Sequence, residues 1–598
     1  MPRIPLEVLF GNPEKASPRL SPDGKRLAWL APVEGVLNIW CDGKPVTQDR
    51  GRGIRSYFWA ENGALLYIQV KDGDENWHLW KAAQPPVDLT PHAGVQAQVV
   101  ATDPKFPDEL LVTMNKRDPR LHDVYRLDLR TSGLTLEAEN PGAVMGWLAD
   151  AQLKVRAAKS MRPDGGSDLL VRDGEAWRTL ASCGPDDQLG AHGFTPDGKS
   201  LYVETSVGRD TTALYEQPLD GGKPTLLAEC AGADLGAVLM HPRDYHAEAV
   251  SFEEDRLRWE VLDDSLRPHF DALKAQALGD CQIVSRDDDD TTWLAVDNSD
   301  VKPPRFLKYA KKTRKAEVLF STRPKLDAYT LSPMKPVKIK ARDGLTIQGY
   351  LTTPTTTTTD SRGAKKAPLV LLVHGGPWVR DGWGFHPEAQ WLADQGYAVL
   401  QVNYRGSQGF GKSFLHAGDR EWGAKMQDDL TDSVNWAVAQ GVADKDRLAI
   451  YGGSYGGYAA LAAAAFTPDL FRCAIDVVGP SNLITLVRSI PPYWEPMRKI
   501  FDLRMGNVDT EEDFLKSRSP LFSADKIKIP LLIAQGANDP RVKQAESEMI
   551  VEALRKNGQP VEYLLYKDEG HGFARPENRL HFYAAAEAFL AKHLSARA

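Results

Sequence analysis

Cysteine is scarce in this chain, and its distribution argues against two kinds of protein. The 598 residues contain five cysteines: Cys41, Cys183, Cys230, Cys281 and Cys473. An odd number at wide, irregular spacing gives neither a disulfide framework nor a metal-ligand pattern. The sequence therefore predicts a reducing, cytoplasmic environment and implies no metal or organic cofactor.

Long apolar runs and basic tracts are also missing. No stretch approaches 18 uninterrupted apolar residues, and the N-terminus lacks the apolar segment of a signal peptide. The net charge is −8, with no basic cluster to attract a nucleic acid or an anionic membrane. We therefore expect a cytoplasmic protein without nucleic-acid or membrane partners. The sequence leaves the oligomeric state open and is compatible with a homo-oligomer.

Long helical patterns are rare in the first 325 residues. Short apolar runs alternate there with Asp-Gly, Asn-Gly and Pro turns, which is typical of β-structure. One strand–turn–strand pattern recurs at residues 20–27, 59–66 and 194–201, with weaker copies near 99–111, 144–155, 237–252 and 283–296. Four-stranded units of about 40–45 residues are typical of β-propeller blades, and this region accommodates seven. The alternative is a pair of β-sandwiches, which the regular spacing of the turns disfavours.

Strands and helices alternate in the second half. Residues 323–336 contain three prolines and read as a linker, and residues 352–360 form a threonine-rich spacer. Strand-length apolar runs follow at 369–373, 397–402, 448–451, 473–478, 531–535 and 561–566, separated by helical patterns such as 425–439, 543–557 and 577–594. This alternation predicts a doubly wound, mostly parallel sheet. We expect a multidomain protein with a β-propeller at 1–325 and an α/β-hydrolase domain at 326–598.

The chemistry of the chain centres on Ser454. It lies in a G-x-S-x-G pattern at residues 452–456, between an apolar strand and an alanine-rich helix. A serine on such a sharp turn stands exposed above the sheet, close to a helix N-terminus. An ordinary glycine-rich turn is the structural alternative, but the strand–turn–helix context favours a nucleophile.

A serine nucleophile needs a base, which on this fold follows it in the chain. Three histidines follow the plausible acids: His571, His581 and His593. The last two lie in the terminal helical pattern. His571 lies between two glycines in the loop after the strand at 561–566, so we expect it to be the base.

The acid that orients this base is expected to be Asp539. It follows the strand at 531–535, at the end of the sheet where ligands bind. Asp525 precedes that strand and lies at the wrong end. Asp568 is close in sequence to His571 and could contact it only in a tightly folded loop.

Backbone N–H groups stabilise the oxyanion that forms during attack on a carbonyl. One is expected from Tyr455, the residue after the nucleophile. The other is expected from Gly376, in the His374-Gly-Gly-Pro377 sequence after the strand at 369–373. Pro377 has no N–H to offer. His374 precedes the nucleophile, so we expect it to hold this loop through side-chain hydrogen bonds.

Together these motifs resemble the prolyl-oligopeptidase family of serine peptidases. The matching segments are 374–377, 403–407, 409–411, 452–457, 539–542 and 570–572. The resemblance covers the C-terminal domain. It implies that Ser454, Asp539 and His571 form the triad, and that the propeller caps the active site.

The resemblance also implies substrate-binding residues. Arg541 falls where the family has an arginine that binds a substrate carbonyl, although a surface arginine is the alternative. Val478, Ile490, Tyr493 and Trp494 fall where the family lines its S1 pocket, and ordinary core packing accounts for them equally well.

Two features bear on which branch of this family the sequence resembles. His374 stands where endopeptidases and dipeptidyl peptidases have an oxyanion tyrosine, which points to the acylaminoacyl-peptidase type. Dipeptidyl peptidases hold the substrate amine with paired glutamates; Glu253 and Glu254 are such a pair, but we expect them to be solvated surface residues.

The expected function is a serine peptidase acting on short peptides, as an exopeptidase of the acylaminoacyl-peptidase or aminopeptidase type. Oligopeptides are the expected substrates, because a propeller cap would hinder folded proteins. An esterase or amidase acting on small molecules is the alternative. A non-catalytic scaffold is a third hypothesis, which the complete Ser-Asp-His set disfavours.

Overall fold

Seven small antiparallel sheets follow one another along the first half of the chain. The computed structural model describes residues 3–355 and 366–595, so most of the predicted spacer at 352–360 lies outside the described residues. Six sheets have four strands and the sixth has three, always in chain order. Blade by blade, the strands are β1–β4 (Ala16–Leu20, Leu27–Val33, Val36–Cys41, Lys44–Pro45), β5–β8 (Ser56–Trp59, Leu65–Gln69, His78–Lys81, Val87–Asp88), β9–β12 (Ala97–Ala101, Glu109–Asp118, Leu121–Asp128, Leu134–Ala138), β13–β16 (Val144–Ala149, Val155–Met161, Ser167–Asp173, Ala176–Cys183), β17–β20 (Leu189–Phe194, Ser200–Thr205, Ala213–Pro218, Thr225–Ala228), β21–β23 (Leu235–Met240, Ala247–Glu253, Leu257–Val261) and β24–β27 (Asp280–Arg286, Thr292–Asn298, Arg305–Ala310, Lys315–Ser321). The prediction of a seven-bladed propeller is confirmed.

The repeats found in the sequence coincide with the first hairpin of every blade. In blade 1 the turn is closed locally, because Asp23 Oδ1 accepts hydrogen bonds from Ser21 Oγ at 2.7 Å and Lys25 N at 3.1 Å. Asp197 makes the same pair of bonds in blade 5, with Thr195 and Lys199. A short aspartate side chain bonding to the backbone two residues later is a common turn device. This local chemistry explains why the repeat is visible in the sequence.

Blades pack against their neighbours through apolar residues, and the ring closes without a shared strand. Blade 1 meets blade 7 through a hydrogen bond from Leu20 N to Ser285 Oγ (3.0 Å) and one from Asp288 N to Pro22 O (2.8 Å). Side-chain packing and a few such bonds therefore hold the circle together.

Most helices lie in the second half of the chain. The helices are α1 (Leu6–Phe10), α2 (Arg267–Gln276), α3 (Pro387–Asp394), α4 (Lys412–His416), α5 (Lys425–Ala439), α6 (Tyr455–Phe466), α7 (Leu483–Arg488), α8 (Arg498–Arg504), α9 (Glu512–Ser517), α10 (Gln544–Lys556) and α11 (Pro576–Leu594), with short 3₁₀ turns at Asp264–Leu266, Pro324–Ala328, Pro492–Met497 and Pro520–Lys526. Helix α2 lies between blades 6 and 7. In the described residues, no helix combines the length and the apolar character needed to cross a membrane.

A mixed eight-stranded sheet forms the second domain. Its strands are β28–β35 (Met334–Lys340, Thr346–Thr352, Ala367–Val373, Ala398–Asn403, Ala443–Gly453, Cys473–Val477, Leu531–Gly536, Val561–Tyr566). Their spatial order is β28-β29-β31-β30-β32-β33-β34-β35. The first two strands run antiparallel to their neighbours, and the other six are parallel. The predicted α/β-hydrolase fold is confirmed.

Apolar residues cover both faces of this sheet. Helices α5, α6 and α10 pack on one face, and α3 and α11 on the other. The N-terminal helix α1 also packs against α3 and α11, where Phe10 stacks on Tyr583. The start of the chain, which the sequence assigns to the propeller, therefore contacts the hydrolase domain.

Candidate active site

Ser454 lies at the corner between β32 and α6. Its backbone has φ 57° and ψ −118°, on the side of conformational space that residues with a side chain rarely occupy. Its N–H donates to the carbonyl of Val477 on β33 at 2.8 Å. Backbone strain of this kind persists only where the surrounding structure fixes it, and it is common at functional sites.

Two glycines beside Ser454 have very different surroundings. A Cβ atom at Gly456 would lie 2.1 Å from the carbonyl oxygen of Val373, whereas one at Gly453 would have its nearest neighbour, Val477 O, at 3.8 Å. The clash at Gly456 is with backbone, so no flexible side chain could move away. Helix α6 can approach β30 this closely only because residue 456 is glycine.

We expect Gly456→Ala to lower the free energy of unfolding by about 3 kcal/mol or more, since the added methyl overpacks a rigid site. Gly453→Ala is the matched control and should change it by less than about 1 kcal/mol. Urea denaturation of both variants measures the difference. Equal stabilities would contradict the packing argument.

Asp539 and His571 lie at the ends of two adjacent strands, β34 and β35. Asp539 Oδ2 is 2.6 Å from His571 Nδ1. The other carboxylate oxygen, Oδ1, accepts the backbone N–H groups of Arg541 and Val542, each at 2.9 Å. The Asp539 side chain is fully buried and that of His571 is 14% exposed. The carboxylate is thus held in one orientation, in which Oδ2 faces the imidazole of His571.

The structure joins two of the three predicted triad members directly. Ser454, Asp539 and His571 all follow carboxyl ends of parallel strands, so they share one edge of the sheet. Among the described residues, no hydrogen bond links Ser454 to His571. Catalytic hydrogen bonds in a substrate-free enzyme are often long and tighten when substrate binds.

The predicted oxyanion loop passes beside the nucleophile. A Cβ atom at Gly375 would lie 3.5 Å from Ser454 Cβ. Gly376 has φ 109°, a conformation that favours glycine. Tyr455 is the first residue of α6, where N–H groups have no partner within the helix. Both predicted donors therefore belong to segments next to Ser454.

His374 holds this loop, as expected from the sequence. Its Nδ1 lies 2.8 Å from Gly375 O, and its Nε2 lies 3.0 Å from Ser407 Oγ. The ring also stacks on Tyr404. Burial lowers the pKa of His374, which favours a neutral, structural imidazole.

Arg541 contacts a residue from the propeller. Its Nε lies 2.8 Å from Glu75 Oε1, and Tyr493 Oη donates to Glu75 Oε2 at 2.7 Å. The Arg541 guanidinium also lies 5.7 Å from the ring centre of Trp494. Burial and the bond to Glu75 raise the pKa of Tyr493. Two predicted substrate-binding residues, Arg541 and Tyr493, thus contact one buried glutamate, and a third, Trp494, lies beside Arg541.

Glu75 and His571 line the same cavity between the domains. This cavity has a volume of about 240 Å³ and is also lined by Arg52, Trp77 and Phe573. A second cavity of about 530 Å³ is lined by Glu75 and Trp147 from the propeller and by Tyr493, Trp494 and Arg541 from the hydrolase domain. Glu75 therefore lines both cavities, and His571 lines the first of them.

The remaining predicted residues lie elsewhere. Val478 is 3% exposed with φ 49°, and neither it nor Ile490 lines these two cavities. The backbone of Glu254 accepts a bond from Arg380 at 2.9 Å, and Gly382 lies against the carboxylate of Glu253. Glu254 is exposed and Glu253 is half-buried at the domain interface, so the expectation of a solvated surface is wrong for Glu253.

The sequence did not identify Glu75 as a candidate site residue. It lies in the loop between β6 and β7, among Asp72, Asp74 and Asn76. One acidic residue in such a turn has no distinguishing local pattern. Its role depends on how the propeller docks on the hydrolase domain, which a single sequence does not reveal.

Side chains that are close enough to share a metal ion occur away from this site. In the described part of the chain they comprise His241, Asp244, His246, Glu248, Asp263 and Asp290. They belong to blades 6 and 7 and do not line the cavity beside His571. Glu248 and Asp290 are already paired with Arg286.

Comparison with known proteins found a matching family model and similar proteins of nearly the same length. The family model described as "Prolyl oligopeptidase family" matches residues 383–597. Dipeptidyl aminopeptidase BIII of Pseudoxanthomonas mexicana is 47% identical over 614 residues, covering 100% of this chain and 89% of the relative. Dipeptidyl peptidase family member 6 of Caenorhabditis elegans is 36% identical, covering 98% of this chain and 86% of the relative.

Solved structures share the architecture. A puromycin-hydrolyzing peptidase of Mycobacterium tuberculosis superposes with a TM-score of 0.80 at 22% identity, covering 100% of this chain and 97% of that chain. At this identity, the likeness supports the fold alone. The structural likeness covers both domains, and so do the long alignments to the two peptidases above.

Proposed function

Because the chain belongs to the prolyl oligopeptidase family and is a serine peptidase, we propose that it is a dipeptidyl aminopeptidase. It removes dipeptides from the free N-terminus of oligopeptides. Of the two exopeptidase types that the sequence favours, this is the aminopeptidase type. The two long-matching relatives support it, since both are named for dipeptidyl activity.

In the proposed mechanism, Ser454 attacks the scissile carbonyl and His571 accepts its proton. Asp539 holds Nδ1 of the imidazole protonated and stabilises the imidazolium. The N–H groups of Tyr455 and Gly376 stabilise the oxyanion. His571 then returns the proton to the leaving amine, and water releases the acyl group by the same steps in reverse order.

The observation that carries the aminopeptidase proposal is Glu75 in the cavity beside His571. Its two oxygens have one partner each, Arg541 and Tyr493. An ionised carboxylate has about four acceptor sites, so two remain for a substrate ammonium group. A fixed amine anchor sets the cleavage position, because the chain must reach from Glu75 to Ser454.

In this proposal, Arg541 contacts Glu75 and also binds a carbonyl group of the substrate. Its side chain is 43% exposed, so its guanidinium can donate to a substrate carbonyl while its Nε stays close to Glu75. Cation and carboxylate then bind two neighbouring groups of one substrate. A small ester without a free amine would use neither, which makes an esterase the weaker alternative.

Four matched anilides test the proposal: a free dipeptidyl anilide, its N-acetyl form, a free aminoacyl anilide and its N-acetyl form. We expect kcat/KM to be highest for the free dipeptidyl compound and at least about 100-fold lower for its acetylated form, because one charge pair is lost. Ser454→Ala should abolish all turnover above background.

Other outcomes would point elsewhere. Preference for the N-acetyl aminoacyl anilide would replace the proposal with an acylaminoacyl peptidase. Turnover of simple esters alone, abolished by Ser454→Ala, would favour the esterase. The cytoplasmic location and homo-oligomeric state stay predictions, which cell fractionation and light scattering can test.

A further inference from the structure

The loop that carries His571 is closed by one buried carboxylate. Glu569, two residues before His571, accepts the N–H groups of Ala574 at 3.0 Å and Arg575 at 2.8 Å. Its side chain is fully buried. A single side chain therefore ties the beginning of the loop to its end, with His571 between them.

A propeller residue forms an ion pair with this carboxylate. Arg52, in the segment between blades 1 and 2, places Nη1 2.9 Å from Glu569 Oε2, and its side chain is only 12% exposed. The same nitrogen donates to the carbonyl of Asp568 at 2.5 Å. One guanidinium thus holds a side chain and a carbonyl of the histidine loop from across the domain interface.

Neighbouring propeller residues support the same region. A Cβ atom at Gly73 would lie 2.7 Å from Gly570 N, so the two backbones are in close contact. Asn538, the residue before Asp539, donates to Asp72 O at 3.0 Å. Both loops that hold the Asp539–His571 pair therefore rest on the propeller.

We propose that Arg52 is a positioning residue for His571, acting through Glu569. The propeller then does more than restrict access, because it supplies part of the support that fixes the base. Contacts from a buried guanidinium to a carboxylate and to a carbonyl of the same loop are charge-assisted and directional. A displacement of about 1 Å at the reacting groups lowers a rate by roughly 100-fold. The inference rests on the proposed role of His571 as general base.

Arg52→Met tests this inference in the full-length enzyme. We expect kcat for the free dipeptidyl anilide to fall by about 10- to 100-fold, with KM changed by less than about threefold. Labelling of Ser454 by a fluorophosphonate also requires the base, so its rate should fall by the same factor. The ratio of kcat/KM for free and N-acetyl substrates should stay constant, because Glu75 is untouched.

Two further variants separate positioning from general stability. Arg50→Ala removes a neighbouring arginine that is 79% exposed and pairs with Glu34; it should leave kcat unchanged. Arg52→Lys keeps the charge and should recover part of the lost kcat and labelling rate. If Arg52→Met does not fold, the lysine variant decides, since a reduced kcat at unchanged KM supports the proposal.

Two results would overturn the proposal. Wild-type kcat and labelling in the position 52 variants, with only a lower Tm, would give Arg52 a purely structural role. A raised KM with unchanged kcat would make it a substrate-binding residue. Lack of any preference for a free amine in the wild type would instead refute the dipeptidyl aminopeptidase, and the fluorophosphonate comparison would still stand.

Discussion

Asp539→Asn is expected to lower kcat by about 10⁴-fold without unfolding the protein. The reason lies in the two oxygens of Asp539, because Oδ1 accepts the N–H groups of Arg541 and Val542. An asparagine must keep its carbonyl oxygen there, which turns its NH₂ group toward His571 Nδ1. The imidazole proton then moves to Nε2, and the nitrogen that should accept the Ser454 proton no longer can. Anilide hydrolysis measures kcat, and thermal unfolding checks the fold.

Asp568→Asn is the matched control, since Asp568 is the rival acid close to His571 in sequence. Its carboxylate lies 2.7 Å from Arg575 Nε and 3.0 Å from Asn578 Nδ2, so we expect kcat to change by no more than about threefold. If Asp568→Asn abolished turnover and Asp539→Asn left it intact, the assignment of the acid would be wrong.

The sequence predicted the fold well where structure is set by local chemistry. Turns such as 21–26 close through hydrogen bonds to their own aspartate. The first hairpin of each of the seven blades was therefore recognisable in the sequence. Strand ends in a parallel sheet meet at one edge, so loop positions after strands located Asp539 and His571 together. Helix α2 was not predicted, because its short pattern lies within an all-β region.

Contacts between the two domains could not be predicted from the sequence. Tyr493 and Trp494 were predicted to line S1, and the structure places them beside Glu75 at the propeller; their part in S1 stays a prediction. Arg52 and Glu569 are more than 500 residues apart in the chain, and neither belongs to a recognisable motif. Such pairs depend on the docking of two folded units, which local patterns do not encode.

Glu75→Gln is expected to lower kcat/KM for the free dipeptidyl anilide by about 10²- to 10³-fold, because the substrate ammonium loses its charged partner in a buried site. The N-acetyl compound has no ammonium group, so its kcat/KM should change little. Glutamine keeps the shape and can still accept the Tyr493 hydroxyl. Arg541 stays half-exposed and hydrated, so stability should be nearly unchanged. The two substrates, assayed side by side, give the change in discrimination directly.

Glu254→Gln makes the same chemical change in the glutamate pair considered from the sequence. Glu254 is exposed and its backbone lies against Arg380, so discrimination between free and acetylated substrates should be retained. Loss of discrimination in Glu254→Gln but not in Glu75→Gln would move the amine anchor to the other side of the propeller. Equal losses on both substrates in Glu75→Gln would instead mean that Glu75 organises Arg541 and Tyr493 and does not bind the amine. The fluorophosphonate labelling rate separates these cases from damage to the base, because an amine anchor has no part in that reaction.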